Sequence, residues 1–267
     1  WLAAAMTAAA AGATPPPLAP TASTESLALE GRSLAWIDAS ASRTIDDIAR
    51  AGDNLPWELL QDGHKYRTAD RALWIRFAAT LPAGTQWRLV MMHPAVDLIR
   101  LHYRGPDGRW VTQQAGEDVA QDEWPLPGRV PILALAPGTG ETVRYWLRIE
   151  RNRLDFSVPL RLYAQGSLLQ LRDAEQLAMG GYFGVVILLL AGALIASLLF
   201  RDRTLRAFAA YVAGAGSWQF VNLGLAAQHL WNEPHWTYLA RSIAPGLAAA
   251  QVVTPLVQRP DELVGEG

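Results

Sequence analysis

The sequence has no cysteine, a single lysine at Lys65, and no block of like charge. Without cysteine there is no disulfide, no thiolate metal site and no cysteine nucleophile, which fits a domain that folds outside the cytoplasm without oxidation. Formal net charge is −2, so the chain lacks the basic surface that nucleic acid would require. Its five histidines are scattered, and His93 and His102 stand too far apart to serve as a ligand pair on one helix or strand. No Gly-x-Ser-x-Gly elbow and no zinc-protease motif occurs. The carboxylate pairs Asp46-Asp47 and Asp122-Glu123 are adjacent on the chain, and on a strand neighbours point to opposite faces. Neither an enzyme, a metal nor a cofactor is therefore expected.

What the chain does have is one long apolar run. Residues 177–200 read LAMGGYFGVVILLLAGALIASLLF, with no acidic or basic side chain. At 1.5 Å per residue the run can cross a hydrocarbon core of ~30 Å. The basic cluster Arg201, Arg203 and Arg206 follows at once, and such clusters stay in the cytoplasm. Further apolar segments at 207–227 and 238–257 complete three expected transmembrane helices, after an amphipathic lead-in that starts at 166. Trp231, Trp236 and Tyr238, between the second and third, suit a membrane–water interface. Basic-inside orientation puts the residues before the first span on the outer side. The Ala-rich opening, followed by Pro15, Pro16 and Pro17, agrees: residues 1–26 read as a signal-peptide remnant and a disordered leader. A tail is expected at 258–267.

Between 27 and 165 the pattern is β. Trp74-Ile75-Arg76-Phe77-Ala78 and Trp87-Arg88-Leu89-Val90-Met91 alternate, and 96–103 does so in part. Further strands are expected at 110–113, 130–135, 143–150 and 158–163. Turn residues separate them, among them Asp107-Gly108, a hairpin signal. One short helix is expected at 44–51, with Thr44 as its cap and Asp46 and Asp47 at its positive end. Short strands at regular spacing mean an antiparallel β-sandwich or jelly roll, and transmembrane α-helices follow it, giving a mixed fold class.

Several of these pieces resemble, in order and spacing, the bacterial seven-transmembrane receptors with diverse intracellular signalling modules. They are Trp74-Ile75-Arg76-Phe77, the stretch from Trp124-Pro125-Leu126-Pro127 through Arg129 to Leu135, and Tyr145-Trp146-Leu147-Arg148-Ile149. Pro159-Leu160-Arg161-Leu162-Tyr163, Gly181-Tyr182-Phe183-Gly184 and Phe200-Arg201-Asp202-Arg203 continue the match. The resemblance is to the second type of extracellular domain in that family, followed by the start of the membrane bundle. It implies a periplasmic jelly roll like a carbohydrate-binding module, seven helices, and a cytoplasmic kinase, cyclase or phosphatase. With three expected spans, the chain reads as a fragment of such a receptor in the bacterial inner membrane.

The expected activity is sensing of a small ligand, a carbohydrate among the candidates, with a second copy of the chain as a further partner. A membrane-anchored carbohydrate-active or envelope-assembly protein is the alternative. Sugars stack on aromatic rings while planar polar groups fix their hydroxyls. Trp110, Trp124, Tyr103, His102 and Arg129, on or beside strands and the long 117–131 connection, are the candidate ligand residues. Trp36, Trp74, Trp87 and Trp146, inside alternating strands, are expected in the sandwich core. In the spans, Gly180 and Gly184 are candidates for close helix approach, and Gln219 and Asn222 for interhelical packing or signalling.

Overall fold

The structure is a computed structural model, and it describes residues 14–21, 23–93, 96–150, 156–230, 236 and 239–240. The expectations for residues 1–13, for Trp231 and Tyr238, for the third span beyond 240 and for the tail fall outside these residues.

Among the described residues, twelve strands and four α-helices follow one another in the order that the turn residues dictate. β1 (Ser26–Ala28) and β2 (Leu34–Asp38) lead to α1 (Ile45–Ala51), then to β3 (Glu58–Leu59) and β4 (Lys65–Tyr66). β5 (Ala72–Thr80), β6 (Trp87–Met91), β7 (Leu98–Arg104) and β8 (Trp110–Ala115) come next, and then β9 (Ile132–Ala134) and β10 (Thr142–Glu150). β11 (Phe156–Ser157) and β12 (Leu160–Ala164) close the series. All strand pairs are antiparallel, in a six-stranded sheet β3-β2-β5-β10-β7-β8, a four-stranded sheet β1-β12-β6-β9, and the small pair β11-β4. The β7–β8 hairpin turns at Asp107-Gly108, where Gly108 takes φ +75, a region closed to most side chains.

The two larger sheets face each other across a core. Ile75, Phe77, Tyr145, Leu147, Ile99 and Leu101 from the larger sheet meet Trp87, Leu89, Met91, Leu160 and Leu162 from the smaller. Each such side chain contributes about 1.5–3 kcal/mol on leaving water. The fold is thus an antiparallel β-sandwich followed by helices.

Part of the leader differs from the expectation of disorder. β2 pairs with β5 only as far as Arg76, so the edge of β5 beyond it is open. Leu18 takes that edge: its N–H donates to the Ala78 carbonyl and its carbonyl accepts from the Thr80 N–H, both at 2.8 Å. Its side chain is buried in the core. Orphaned edge groups thus hold a segment that composition alone reads as loose.

β12 passes into α2 (Gln165–Phe200) with no intervening residue, so the amphipathic lead-in and the first span form one helix. Among the described residues α2 alone is long and apolar enough to cross a membrane, and its large apolar side chains are exposed along the span. Arg201 in the left-handed region and Asp202, whose carboxylate caps the Thr204 N–H at 2.7 Å, make a tight reversal into α3 (Arg203–Asn222). The helices pack antiparallel, with Phe183 edge-on to Phe220 at 5.5 Å. A Cβ on Gly216 would sit 2.9 Å from Val186, so Gly216 is the glycine that permits close approach. Gly180 and Gly184 have open space beside them and make no such contact with α3. Asn222 donates to the Trp218 carbonyl of its own helix, and Gln219 is half-buried. The second apolar segment is not continuous: α3 ends at Asn222, Gly224 turns with φ +79, and α4 (Leu225–His229) follows.

Candidate functional site

Strict alternation gives the six-stranded sheet a second face, turned away from the core. Because Ile75, Leu147 and Leu101 point inward, Trp74, Arg76, Trp146, Arg148 and His102 share the outer side. The register sets them in rows. Across one row stand Trp36, Trp74, Arg148, Arg100 and Gln114; across the next, Leu34, Arg76, Trp146, His102 and Thr112. Indole rings and guanidinium groups thus lie side by side over most of the sheet.

α1 covers part of this face, and local chemistry explains its position. The buried Asp38 carboxylate accepts from the Ser40 N–H and hydroxyl and from the Arg43 N–H, shaping the turn that enters the helix. Thr44 and Asp47 form a reciprocal capping box, and the hydrogen bonds from Thr44 hold the Asp47 carboxyl below its ordinary range. Ile48 then packs on Ala72 and Trp74, with Trp36, Trp57 and Trp146 around it. From the first turn of the helix, Asp46 accepts the indole N–H of Trp110 at 2.7 Å and lies 3.7 Å from Arg104. Arg104 stacks over the Trp110 ring at 3.8 Å, and Trp110 meets Trp146 edge-on at 5.4 Å. At the other end of the helix, Arg76 pairs with Asp53 at 2.6 Å and stacks over Trp57 at 4.8 Å.

His102 is buried between these groups, with Nδ1 2.9 Å from the Thr112 hydroxyl and its ring 6.0 Å from that of Trp74. Desolvation, with Arg100 and Arg148 nearby, lowers its pKa to about 4, so the imidazole is neutral at neutral pH. Arg148 donates to the Ala41 carbonyl at 2.6 Å and holds Glu150 at 2.9 Å. The indole N–H of Trp74 is buried without a hydrogen-bond partner among the described residues. Trp36, Trp57, Trp110 and Trp146 remain half-exposed. Rings open to solvent beside fixed guanidinium and carboxylate groups can bind a flat, polar small molecule. Among the described residues there is no group of three or more acidic or histidine side chains that could hold a metal.

Of the candidate ligand residues, Trp110 and His102 belong to this face. Tyr103 and Trp124 do not: both lie in the sandwich core, and the Trp124 indole donates to the Val119 carbonyl at 3.0 Å. Arg129 lies elsewhere again, at the junction with the helices. It pairs with Glu175 of α2 at 2.9 Å, while Arg172 of α2 reaches the Pro127 carbonyl at 3.2 Å. A Cβ on Gly224 would stand 3.0 Å from the Arg129 carbonyl oxygen, so the same loop also touches the turn after α3. A cavity of about 120 Å³ lies at this junction, between Ile132 and Val90 of the sandwich, Leu168 and Met179 of α2, and Leu225 of α4.

Trp36, Trp57, Trp146, Arg76, Arg148 and Asp46 extend the face beyond the sequence-based candidates. The signal for three of them was present. In Trp146-Leu147-Arg148 and Trp74-Ile75-Arg76 the aliphatic residue marks the core side, so the tryptophan belongs outside with the arginine. Only Trp87 of the four tryptophans assigned to the sandwich core lies there; Trp74 is buried on the outer face beneath α1.

Comparison with known proteins yields two family matches. The model described as "7TMR-DISM extracellular 2" matches residues 32–164, and that described as "7TM diverse intracellular signalling" matches 175–254. No curated protein matches the chain. Among solved structures, one of TmCBM61 in complex with beta-1,4-galactotriose is similar at 10% identity and TM-score 0.21, over 35% of this chain and 59% of that one. A two-domain esterase active on acetylated mannans is similar at 10% identity and TM-score 0.23, over 54% of this chain and 34% of that one.

Proposed function

The chain belongs to the seven-transmembrane receptors with diverse intracellular signalling modules, and from that premise we propose that it senses a small extracytoplasmic ligand and relays its binding through the membrane bundle. It is a membrane protein whose N-terminal β-sandwich lies outside the cytoplasm, and the matched models are of receptor rather than catalytic type. The ligand is a small polar molecule, with saccharides as the first class to test. The membrane is the bacterial inner membrane, and the signal passes to a cytoplasmic output domain.

One observation carries this reading: β12, paired on both sides within its sheet, becomes α2 with no linker. A ligand that binds one arrangement of the sandwich better than another therefore biases the first span directly. The Arg129–Glu175 pair and the contact at Gly224 add a second connection, from the 124–131 loop to both helices. The half-exposed tryptophans of the outer face are the proposed contact surface.

The test uses the whole chain in lipid nanodiscs, titrated with a saccharide panel and followed by tryptophan fluorescence. Trp110→Ala weakens binding about tenfold and leaves the melting temperature nearly unchanged, since the ring is half-exposed. Trp124→Ala lowers stability by about 3–5 kcal/mol, as expected of a buried tryptophan. Unaltered binding in Trp110→Ala, with a melting loss matching that of Trp124→Ala, would make the outer face structural.

A further inference from the structure

We propose that Arg32, Arg76 and Arg144 frame an oxyanion subsite that takes the carboxylate of an acidic ligand lying on the aromatic face. The inference rests on the ligand-sensing reading above and adds a charge class to it. The three arginines, with Asp53, Leu34, Thr14 and Pro15, line a pocket of about 50 Å³. The pocket is small and open to solvent, with room for a carboxylate group.

The charges are unbalanced. Three guanidinium groups meet one carboxylate, Asp53, which already holds Arg76 at 2.6 Å. The guanidinium groups of Arg32 and Arg144 have neither a hydrogen bond nor an ion pair among the described residues, and both residues are exposed. Two free guanidinium forks thus border the pocket, and such forks recognise carboxylates in paired hydrogen bonds. Asp53 opposes an incoming anion, but it neutralises only one of the three.

The pocket adjoins the rings. Arg76 stands opposite Trp146 in the register, and Arg144 precedes Trp146 by two residues on β10, hence on the same face. This face already seats carboxylates of its own chain beside its arginines, among them Asp46 between Trp110 and Arg104, and Asp53 on Arg76. Both show that the arginines of this face accept a carboxylate beside the rings. A ring of the ligand then rests near Trp146 while its acid group enters the pocket.

The experiment compares D-glucuronate and D-galacturonate with D-glucose and D-galactose, each titrated into the whole chain in nanodiscs. The members of each pair differ only in the carboxylate at C6. At least one uronate binds about tenfold tighter than its neutral partner, and the preference shrinks as salt is raised. The double variant R32A/R144A abolishes the preference, and Asp53→Asn increases it several-fold. Both altered arginines are exposed, so the melting temperature of the double variant stays near that of the parent. Equal binding of uronate and neutral sugar, or a preference retained in R32A/R144A, overturns the subsite and leaves the sensor reading standing. Binding of none of the four overturns the subsite together with the saccharide reading.

Discussion

A neutral ring is what the surroundings of His102 demand. It is buried beside Arg100 and Arg148, and both desolvation and positive charge oppose its protonation. With a folded pKa of about 4, below the ordinary 6.5, the unfolded chain binds the proton more readily than the folded one. The stability that follows is fully present above about pH 6.5 and is lost as pH falls toward 4, at most roughly 3 kcal/mol in all. Melting curves between pH 4 and 7 should therefore slope downward on the acid side, and His102→Gln should flatten that slope. An unchanged slope in the variant would place the acid sensitivity elsewhere. At this scale the sequence was only partly legible. Trp110 and His102 were recognisable as polar-tipped rings near a hairpin. Tyr103 was not separable from His102, because neighbours on a strand differ only in which side they face. That side is set by the neighbours on the core face of the same sheet: the Tyr145 ring stacks on Phe77 at 5.0 Å and meets the tilted ring of Tyr103 at 5.5 Å.

Among the elements, those with long alternation were readable in advance. β6 spans the residues expected, β7, β8 and β10 differ by a residue or two at their ends, and α1 begins behind its expected Thr44 cap. β2 was not, since Leu34-Ala35-Trp36-Ile37-Asp38 shows no clean alternation: the core covers one face and α1 the other. β3, β4 and β11 have two residues each and exist only through their partners. The break at Gly224 also escaped, because an apolar composition continues across it. The connection from the sandwich to the helices makes its own prediction. The Arg129–Glu175 pair is partly exposed, so losing it should cost only about 1 kcal/mol. Glu175→Ala should nevertheless speed hydrogen exchange in the 124–131 loop, and the charge swap R129E/E175R should restore the protection. If exchange in the loop ignores both variants, the pair does not hold the junction.

For the whole molecule, the sandwich and the first span share one continuous element. At 1.5 Å per residue α2 is about 54 Å long, and its first turns are fixed to the sandwich by Arg129 and Arg172. Inserting one alanine between Gln176 and Leu177 turns the span by about 100° relative to the sandwich, whereas seven residues return it to within about 20°. In a full receptor that carries this chain, the single insertion should lock or abolish the response, and the seven-residue insertion should recover it. Equal responses from the two would mean that helix phase does not carry the signal. The seamless passage from Ala164 to Gln165 also makes α2 a lever arm whose fulcrum lies at the sandwich. Tilting its outer end by about 2° moves the tip near Phe200 by about 2 Å, the scale of the helix shifts that switch packed bundles. A ligand need not reshape the sandwich; rocking it slightly is enough for the membrane to feel it.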